Sequence, residues 1–374
     1  DENESILIHL NGDSATASSN SVKISGSTVQ ITEEATYIIS GTLNNGIILV
    51  DAEDTAKLQI VLNGVSITNE SSAALYILSA DKVFVTLAEG TENTLANGGS
   101  FIAIDENNID AVVFSKQDLT FNGTGNLIIT SPNGNGIVGK DDLVFTGGNY
   151  TINTSSHGIE ANDSVRITGT TQITVDAGKD GIHCENNDDT SLGFIYISAG
   201  TLNIEAEGDG ISTSAYMQIV DGTFSVLAGG GSENGSSQSS NTWGAFMGGD
   251  MPPGQQSSSN TATTEDSTSM KGIKTSGTLN IFSGSFQINS SDDCIHSNSS
   301  ITIYGGTFEL ASGDDAVHAD ETLTVTACDM NISESYEGLE ALHIDIQGGT
   351  IKLVATDDGL NAAGGTDSRG TPGG

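Results

Sequence analysis

Residues 292–361 repeat one short phrase four times. It reads Asp292-Asp293-Cys294-Ile295-His296, Asp314-Asp315-Ala316-Val317-His318, Tyr336-Glu337-Gly338-Leu339-Glu340 and Asp357-Asp358-Gly359-Leu360-Asn361. The small residue in the middle, which we call the mark, falls at 294, 316, 338 and 359, a period of 22, 22 and 21 residues. The mark recurs upstream at Gly136, Gly158, Gly181, Gly210 and Gly272, with an insertion before the last. A period this short, without a helix-forming run, predicts an all-β chain coiled as a parallel β-helix of about 22 residues per coil.

Each coil is predicted to hold three short strands separated by three corners. In residues 295–316, Ile301 and Ile303 alternate with polar residues, Gly305-Gly306 forms a turn, and Phe308 and Leu310 alternate again. The residue after each mark is apolar: Ile137, Ile159, Ile182, Ile211, Ile273, Ile295, Val317, Leu339 and Leu360. Parallel stacking sets these residues about 4.8 Å apart, so we expect them to form an inward-facing ladder.

The repeat also suggests how the chain divides. Residues 1–45 lack it and are predicted to cap the first coil with short strands, since an open coil end is an unpaired sheet edge. Residues 46–363 form the β-helix, with less regular marks at Gly46, Ala74 and Ala111. The Ser/Gly-rich stretch 228–269 is an inserted loop, either a linker or a binding element that carries Trp243. Residues 364–374 are predicted to be a linker-like tail.

Composition narrows the function. The chain has 374 residues with 49 acidic and 11 basic side chains, a formal charge of −38. Nucleic acids and anionic membranes require basic surfaces, so neither is the expected partner, and no apolar run reaches the roughly 18 residues of a membrane span. The opening Asp1-Glu2-Asn3-Glu4 suggests the mature end of an exported protein. We therefore expect a secreted monomer, free or attached to the cell surface, with its three cysteines unpaired.

Carboxylates recur beside the mark. The residue before each mark is Asn135, His157, Asp180, Asp209, Lys271, Asp293, Asp315, Glu337 or Asp358, and the residue before that adds Asp292, Asp314 and Asp357. Two unit charges about 4.8 Å apart repel by roughly 3 kcal/mol at an effective dielectric near 20. Calcium, with 6–8 oxygen ligands, suits such a row, so we predict Ca²⁺ bridging carboxylates of adjacent coils. The alternative is that these side chains cap backbone N–H groups of the corners.

Two positions after the mark, His296 and His318 are predicted to stack on successive coils. Each follows an aspartate by three residues. Imidazoles beside carboxylates bind zinc or another transition metal in some proteins, and in others only hydrogen-bond to the aspartate.

Several phrases resemble a known family. Asn63-Gly64-Val65-Ser66-Ile67, Leu87-Ala88-Glu89-Gly90-Thr91-Glu92-Asn93-Thr94-Leu95, Asp118-Leu119-Thr120-Phe121-Asn122-Gly123-Thr124-Gly125-Asn126-Leu127 and Glu334-Ser335-Tyr336-Glu337-Gly338-Leu339-Glu340 are similar to the secreted carbohydrate-binding β-helix family of clostridia. The resemblance implies a right-handed parallel β-helix of the pectate-lyase type with bound calcium. It also implies extracellular binding of cellulose and of acidic sugars such as polygalacturonate, without established cleavage.

The resemblance also implies ligand residues. The acidic corner motif of the family corresponds here to Asp180, Asp209, Asp292, Asp293, Asp314, Asp315, Glu337, Glu340, Asp357 and Asp358. Met270-Lys271 departs from it and is expected to interrupt a calcium row. For contact with the polysaccharide we predict Trp243, Tyr336, Lys271, Lys274, His296 and His318.

Two enzymatic functions remain as alternative interpretations of the sequence. Calcium-dependent pectate lyases use a Lys or Arg base beside calcium-bound aspartates, and Lys179, Lys271 and Lys274 lie in or beside the acidic columns. Asp292-Asp293-Cys294 resembles the Asp-Asp-Cys signature of polygalacturonases, but their Gly-His-Gly and Arg-Ile-Lys motifs do not occur in this chain. A catalytic pair has no reason to recur on successive coils, so non-catalytic binding is the favoured prediction and a calcium-dependent lyase is the alternative.

Overall fold

The computed structural model describes residues 5–235 and 269–362. The helical structure in these two ranges is one 3-10 turn, Ser232–Asn234. The strands up to residue 131 are β1 (Ile6–Gly12), β2 (Ala15–Ala17), β3 (Val22–Ser25), β4 (Thr28–Ile31), β5 (Thr36–Leu43), β6 (Ile47–Asp51), β7 (Lys57–Asn69), β8 (Leu75–Ser79), β9 (Lys82–Leu87), β10 (Glu92–Asn97), β11 (Ala111–Ser115), β12 (Asp118–Gly123) and β13 (Asn126–Ser131). Up to residue 228 they are β14 (Asn135–Gly139), β15 (Asp142–Phe145), β16 (Asn149–Thr154), β17 (Ile159–Ala161), β18 (Ser164–Ile167), β19 (Gln172–Ala177), β20 (Ile182–Cys184), β21 (Phe194–Ile197), β22 (Thr201–Ala206), β23 (Ile211–Thr213), β24 (Met217–Ile219) and β25 (Thr223–Ala228). The last are β26 (Ile273–Thr275), β27 (Leu279–Ile281), β28 (Ser285–Ser290), β29 (Ile295–Ser297), β30 (Ser300–Ile303), β31 (Thr307–Ser312), β32 (Val317–Val325), β33 (Asp329–Glu334), β34 (Leu339–Ile346), β35 (Thr350–Leu353) and β36 (Leu360–Asn361).

Apart from β2, β3 and the strands of the two end coils, each strand pairs in parallel with the strands one coil before and after it, which builds three sheets along the molecule. The first sheet stacks β4, β6, β8, β11, β14, β17, β20, β23, β26, β29, the start of β32, the start of β34, and β36. The second sheet contains β9, β12, β15, β18, β21, β24, β27 and β30, and the third contains β10, β13, β16, β19, β22, β25, β28, β31, β33 and β35. The predicted parallel β-helix with three strands per coil is confirmed.

The marks set the register of the first sheet. The N–H of Gly158 donates to the carbonyl of Asp180 at 3.0 Å, and the N–H of Gly210 donates to the carbonyl of Lys271 at 2.8 Å, so the stack continues directly across the insertion. Upstream, however, the marks predicted at 46 and 111 are each one residue too early. Ile47 and Val112 occupy the same register as Ala74, because the pairing aligns Ile48 and Val113 with Leu75.

The ladder that follows the marks points inward, as predicted, and is buried from Ile137 to Leu339. Several mark residues have little room for a side chain. A Cβ at Gly158 would lie 2.4 Å from Val175 Cγ1 and 2.6 Å from the carbonyl oxygen of Gly181. This crowding explains why the mark is Gly, Ala or Cys on every coil from Gly136 to Gly359. Cys184 and Cys294 are buried thiols and Cys328 is partly buried; all three are unpaired.

The two ends of the helix differ. At the N-terminal end, β2 pairs antiparallel with β1, and β3 pairs antiparallel with β4, so both cover edges of the first coil. At the C-terminal end, Leu342, Val354 and Leu360 are between 49% and 61% exposed. The last described coil therefore leaves apolar surface uncovered by the described residues. No helix in the described ranges is long and apolar enough to cross a membrane.

Candidate functional site

The residues that precede the marks, which we call the corner ladder, accept hydrogen bonds from one coil to the next. Side-chain Oδ1 atoms accept the N–H of the following ladder residue in the pairs Asp180–Asp209 (2.8 Å), Asp209–Lys271 (2.8 Å), Asp293–Asp315 (3.0 Å) and Asp315–Glu337 (3.2 Å). Asn135 does the same for His157 at 2.9 Å. Backbone capping, the alternative to calcium binding, therefore occupies one oxygen of each of these four aspartates. The second oxygen of each can contact other partners.

Lys271 interrupts this ladder because lysine has no acceptor atom. In its place, Asp292 Oδ1 accepts the N–H of Asp293 at 3.0 Å. Lys271 is only 6% exposed, and its ammonium nitrogen lies 3.0 Å from Asp292 Oδ1 and 2.6 Å from Asp293 Oδ2. Burial alone would raise the pKa of Asp293, but Lys271 and His296 together hold it well below its usual range. A lysine thus supplies the positive charge at this coil, and its burial argues against direct contact with a polymer.

A second row, the strand ladder, lies three residues further on, at the outward position of the first sheet. Its residues Lys274, His296, His318, Glu340 and Asn361 are in register on consecutive coils. The second oxygens of the corner aspartates face this row: Asp293 Oδ2 lies 2.8 Å from His296 Nδ1 and Asp209 Oδ2 lies 3.3 Å from Lys274 Nζ. His296 is 4% exposed and His318 is 1% exposed. Direct contact of these imidazoles with a polysaccharide is therefore not supported.

Carboxylates concentrate around His318. Its Nδ1 lies 3.3 Å from Asp315 Oδ2, 3.7 Å from Glu340 Oε2 and 3.8 Å from Asp293 Oδ2. Its Nε2 lies 3.5 Å from Asp320 Oδ1. Burial, and then the neighbouring charges, above all that of Asp293, raise the pKa of Asp315 to about 8. Burial also raises the pKa of Glu337, whereas Asp358 on the last coil is exposed.

A smaller cluster of His157, Asp180 and His183 precedes the insertion. The two imidazole rings stack with centroids 4.8 Å apart, and His183 Nδ1 lies 2.8 Å from Asp180 Oδ2. Burial lowers the pKa of His157; at His183 the hydrogen bond and charge of Asp180 outweigh burial and raise the pKa. A cavity of about 280 Å³ next to this cluster is lined by Asp180, His183, Asp209 and Lys274 among others.

The residues two positions before the last four marks form a row that we call the outer column. It consists of Asp292, Asp314, Tyr336 and Asp357. Asp292, Asp293 and Asp314 each bring one carboxylate oxygen within 4.8 Å of the others. Tyr336 is 39% exposed and lines a groove of about 470 Å³ with Ser312, Glu334 and Asp357. A hydrogen bond to Asp357 raises the pKa of the Tyr336 hydroxyl.

Other features were not predicted from the sequence. Asp320 lies beside His318 and follows it by two residues. Because side chains two residues apart in a strand face the same side, this spacing could have indicated the contact. Two aromatic pairs lie at the surface along the edges of the second-sheet strands: the partly exposed Phe194 stacks on Tyr216 with centroids 4.8 Å apart, and Phe282 stacks on Tyr304 at 4.6 Å. The 22-residue step from Phe282 to Tyr304 is the period itself. Trp243, predicted to contact the polysaccharide, lies outside the described residues, as do most of the inserted loop and the tail.

Comparisons with known proteins match this geometry. A family model described as carbohydrate-binding domain-containing protein matches residues 25–316. A protein of the same description from Acetivibrio thermocellus is 36% identical over 211 residues, which cover 56% of this chain and 73% of that protein. A solved structure described as a polysaccharide lyase-like protein from C. thermocellum, gadolinium derivative, aligns with a TM-score of 0.57 at 36% identity, covering 59% of this chain and 89% of that one.

Proposed function

We propose that this chain, which belongs to the carbohydrate-binding domain-containing protein family, binds an acidic plant cell-wall polysaccharide through calcium and does not cleave it. The outer column carries the proposal. It combines three carboxylates with one exposed tyrosine beside a groove, at the surface of an elongated and rigid stack of coils. Calcium held by one or two protein carboxylates keeps open coordination positions, which uronate oxygens of a polygalacturonate can fill.

The charge of the molecule supports a cation in this role. A protein with a formal charge of −38 repels a polyuronate unless cations lie between them. Of the predicted calcium ligands, Asp314 and Asp357 are the best placed, because Asp293 and Asp315 are buried and engaged in the ladders.

We also propose that the protein acts outside the cell. Calcium sites with few protein ligands bind weakly, at about 10⁻⁴–10⁻³ M, which suits extracellular calcium concentrations. Plant cell-wall polymers are found there as well.

Binding to polygalacturonate should be measured by affinity electrophoresis with calcium and with chelator. We expect binding in calcium, loss of binding in chelator, and at least tenfold weaker binding for Asp314→Asn and Asp357→Asn. Asp13→Asn, which removes an exposed carboxylate far from the outer column, serves as the control and should bind normally. Binding that persists unchanged in chelator contradicts the role of calcium.

Cellulose is a second candidate ligand, favoured by the exposed Phe282–Tyr304 and Phe194–Tyr216 pairs. Aromatic side chains offer apolar surface to sugar rings. Pull-down with cellulose should then be insensitive to chelator and should weaken in Tyr304→Ala.

The lyase alternative now centres on Lys274, which is 30% exposed, lies 3.3 Å from Asp209, and lines a cavity with Asp180. If the protein is a lyase, unsaturated uronides that absorb in the ultraviolet will accumulate at alkaline pH with calcium and disappear in Lys274→Ala. We expect no such products.

A further inference from the structure

We infer that Asp315, His318 and Glu340 form a binding site for a divalent transition-metal ion such as zinc, separate from the calcium sites of the outer column. The repeat itself assembles this site. His318 and Glu340 occupy the same strand-ladder position on consecutive coils, and Asp315 precedes His318 by three residues in the corner ladder. The inference does not depend on the proposed polysaccharide binding.

The donor atoms are already close to the spacing of a metal site. His318 Nδ1 lies 3.3 Å from Asp315 Oδ2 and 3.7 Å from Glu340 Oε2, and each of the three residues offers an atom within 4.8 Å of the others. Zinc bonds to nitrogen and carboxylate oxygen are about 2.0–2.2 Å long, so neighbouring donors in a tetrahedral or octahedral site lie about 3–3.5 Å apart. Small side-chain adjustments would bring all three donors onto one ion.

A carboxylate also lies close to the other nitrogen of the imidazole. His318 Nε2 lies 3.5 Å from Asp320 Oδ1, and the Asp320 side chain is 13% exposed. A carboxylate that accepts from the second ring nitrogen favours the tautomer with the proton on Nε2, which makes Nδ1, the nitrogen nearer to Asp315 and Glu340, the metal-binding donor. Such a pairing orients metal-binding histidines in many proteins.

The local charge also favours a bound cation. Asp315, Asp320 and Glu340 surround one imidazole, and their side chains are between 4% and 16% exposed. Where Asp320 and Glu340 are ionised, a single positive charge on His318 balances only one of them, and buried uncompensated charges are costly. On the adjacent coil, Lys271 and His296 both pair with Asp293. A divalent ion at the His318 site would supply the positive charge that Lys271 supplies there.

The ligand set distinguishes this site from a calcium site. Calcium takes 6–8 oxygen ligands and magnesium keeps most of its waters, whereas imidazole nitrogen suits zinc, iron, nickel and copper. The rival explanation is that His318 is an imidazolium ion paired with its carboxylates and that no metal binds there.

Zinc binding should be measured on the whole chain, first stripped with chelator, by calorimetry and by elemental analysis after desalting. We expect zinc to bind at the site, His318→Gln to weaken binding at least 100-fold, and Glu340→Gln to weaken it clearly. Asp320→Asn should weaken binding 10- to 100-fold because it acts through the ring. His343→Gln, an exposed histidine on the same strand as Glu340, is the matched control and should bind as the parent does.

Two results would overturn the inference. One is zinc binding that is equal in the parent, His318→Gln and Glu340→Gln. The other is a nitrogen NMR spectrum in which both His318 ring nitrogens are protonated at neutral pH and unchanged by zinc. Glu340→Gln keeps the test valid if His318→Gln does not fold, since Glu340 lies nearer the surface. Calcium binding to these residues as tightly as zinc would also overturn the proposed metal class.

Discussion

A corner aspartate divides its two side-chain oxygens between two kinds of partner, and the second partner decides its charge. Asp180 and Asp315 both accept a backbone N–H through Oδ1. Asp180 Oδ2 faces His183, which by its hydrogen bond and charge outweighs burial and lowers the pKa of Asp180. At Asp315, burial and then the charges of other acids raise the pKa to about 8. Equivalent positions of one repeat thus differ in protonation.

Asp180→Asn and Asp315→Asn should therefore have opposite effects on stability in chelator. A lowered pKa stabilises the fold above the unfolded value near 3.9 and the effect is lost as pH falls, so Asp180→Asn should cost about 2 kcal/mol at pH 7. A raised pKa stabilises the fold below the unfolded value and the effect is lost as pH rises toward 8. Asp315→Asn should thus gain on the order of 1 kcal/mol relative to the parent at pH 8, and less at pH 5. Urea unfolding of each variant and of the parent, at pH 5, 7 and 8, measures these changes in the free energy of unfolding.

The hydrogen bond from the backbone N–H of the next coil should be the same in both variants and in the parent. Asn135 shows that an asparagine at this position still accepts the N–H of the next coil, so neither substitution removes that bond. Equal destabilisation by both variants, independent of pH, would show that the carboxylate charge does not matter at these positions.

At the scale of the element, each strand is stabilised by identical side chains on its neighbours. Inside the helix, Phe224, Phe286 and Phe308 stack with centroids 4.6 and 4.7 Å apart and nearly parallel rings. Outside, Phe282 and Tyr304 stack at a similar distance but are 41% and 44% exposed. The same kind of ring contact thus occurs both inside the helix and at its surface, where Phe282 and Tyr304 directly follow β27 and β30.

Phe286→Ala should cost about 3–5 kcal/mol, since it leaves a cavity between two buried rings. Phe282→Ala, at the exposed position directly after β27, is the matched control and should cost less than about 1 kcal/mol. Chemical unfolding compares the two. Similar costs would mean that stacking between coils, rather than burial, stabilises the strands.

At the scale of the molecule, the negative charge works against the compact stack. A formal charge of −38 on one chain produces self-repulsion that salt screens, with a Debye length of about 10 Å at 0.1 M. Lys271 and His183, which lie beside Asp293 and Asp180, offset this repulsion only locally.

Raising sodium chloride from 0.01 to 0.5 M in chelator should therefore raise the melting temperature by several degrees. Calorimetry checks this, with an equal osmolality of a neutral solute as the control. An unchanged melting temperature would indicate that protonation or bound cations already neutralise the carboxylate rows.

The sequence alone determined the coil, its period and its inward face. These depend on local alternation and on a step that repeats the same residue types, so parallel pairing brings Ile295 onto Val317 without further information. Where the spacing between coils is irregular, the predicted marks at Gly46 and Ala111 were wrong by one residue. There a small residue stood next to the true mark, and only the pairing of whole strands identifies the register.

Only the tertiary structure decided what the polar residues do. The sequence placed Asp293, Asp315 and His318 in columns, but the columns do not show which oxygen meets a backbone N–H and which meets an imidazole. Burial of His318, the reach of Lys271 to Asp293, and the approach of Asp320 to His318 depend on how three-dimensional neighbours pack around each corner. Side chains of the same column therefore differ in charge and partner, because their surroundings vary from coil to coil while the backbone repeats.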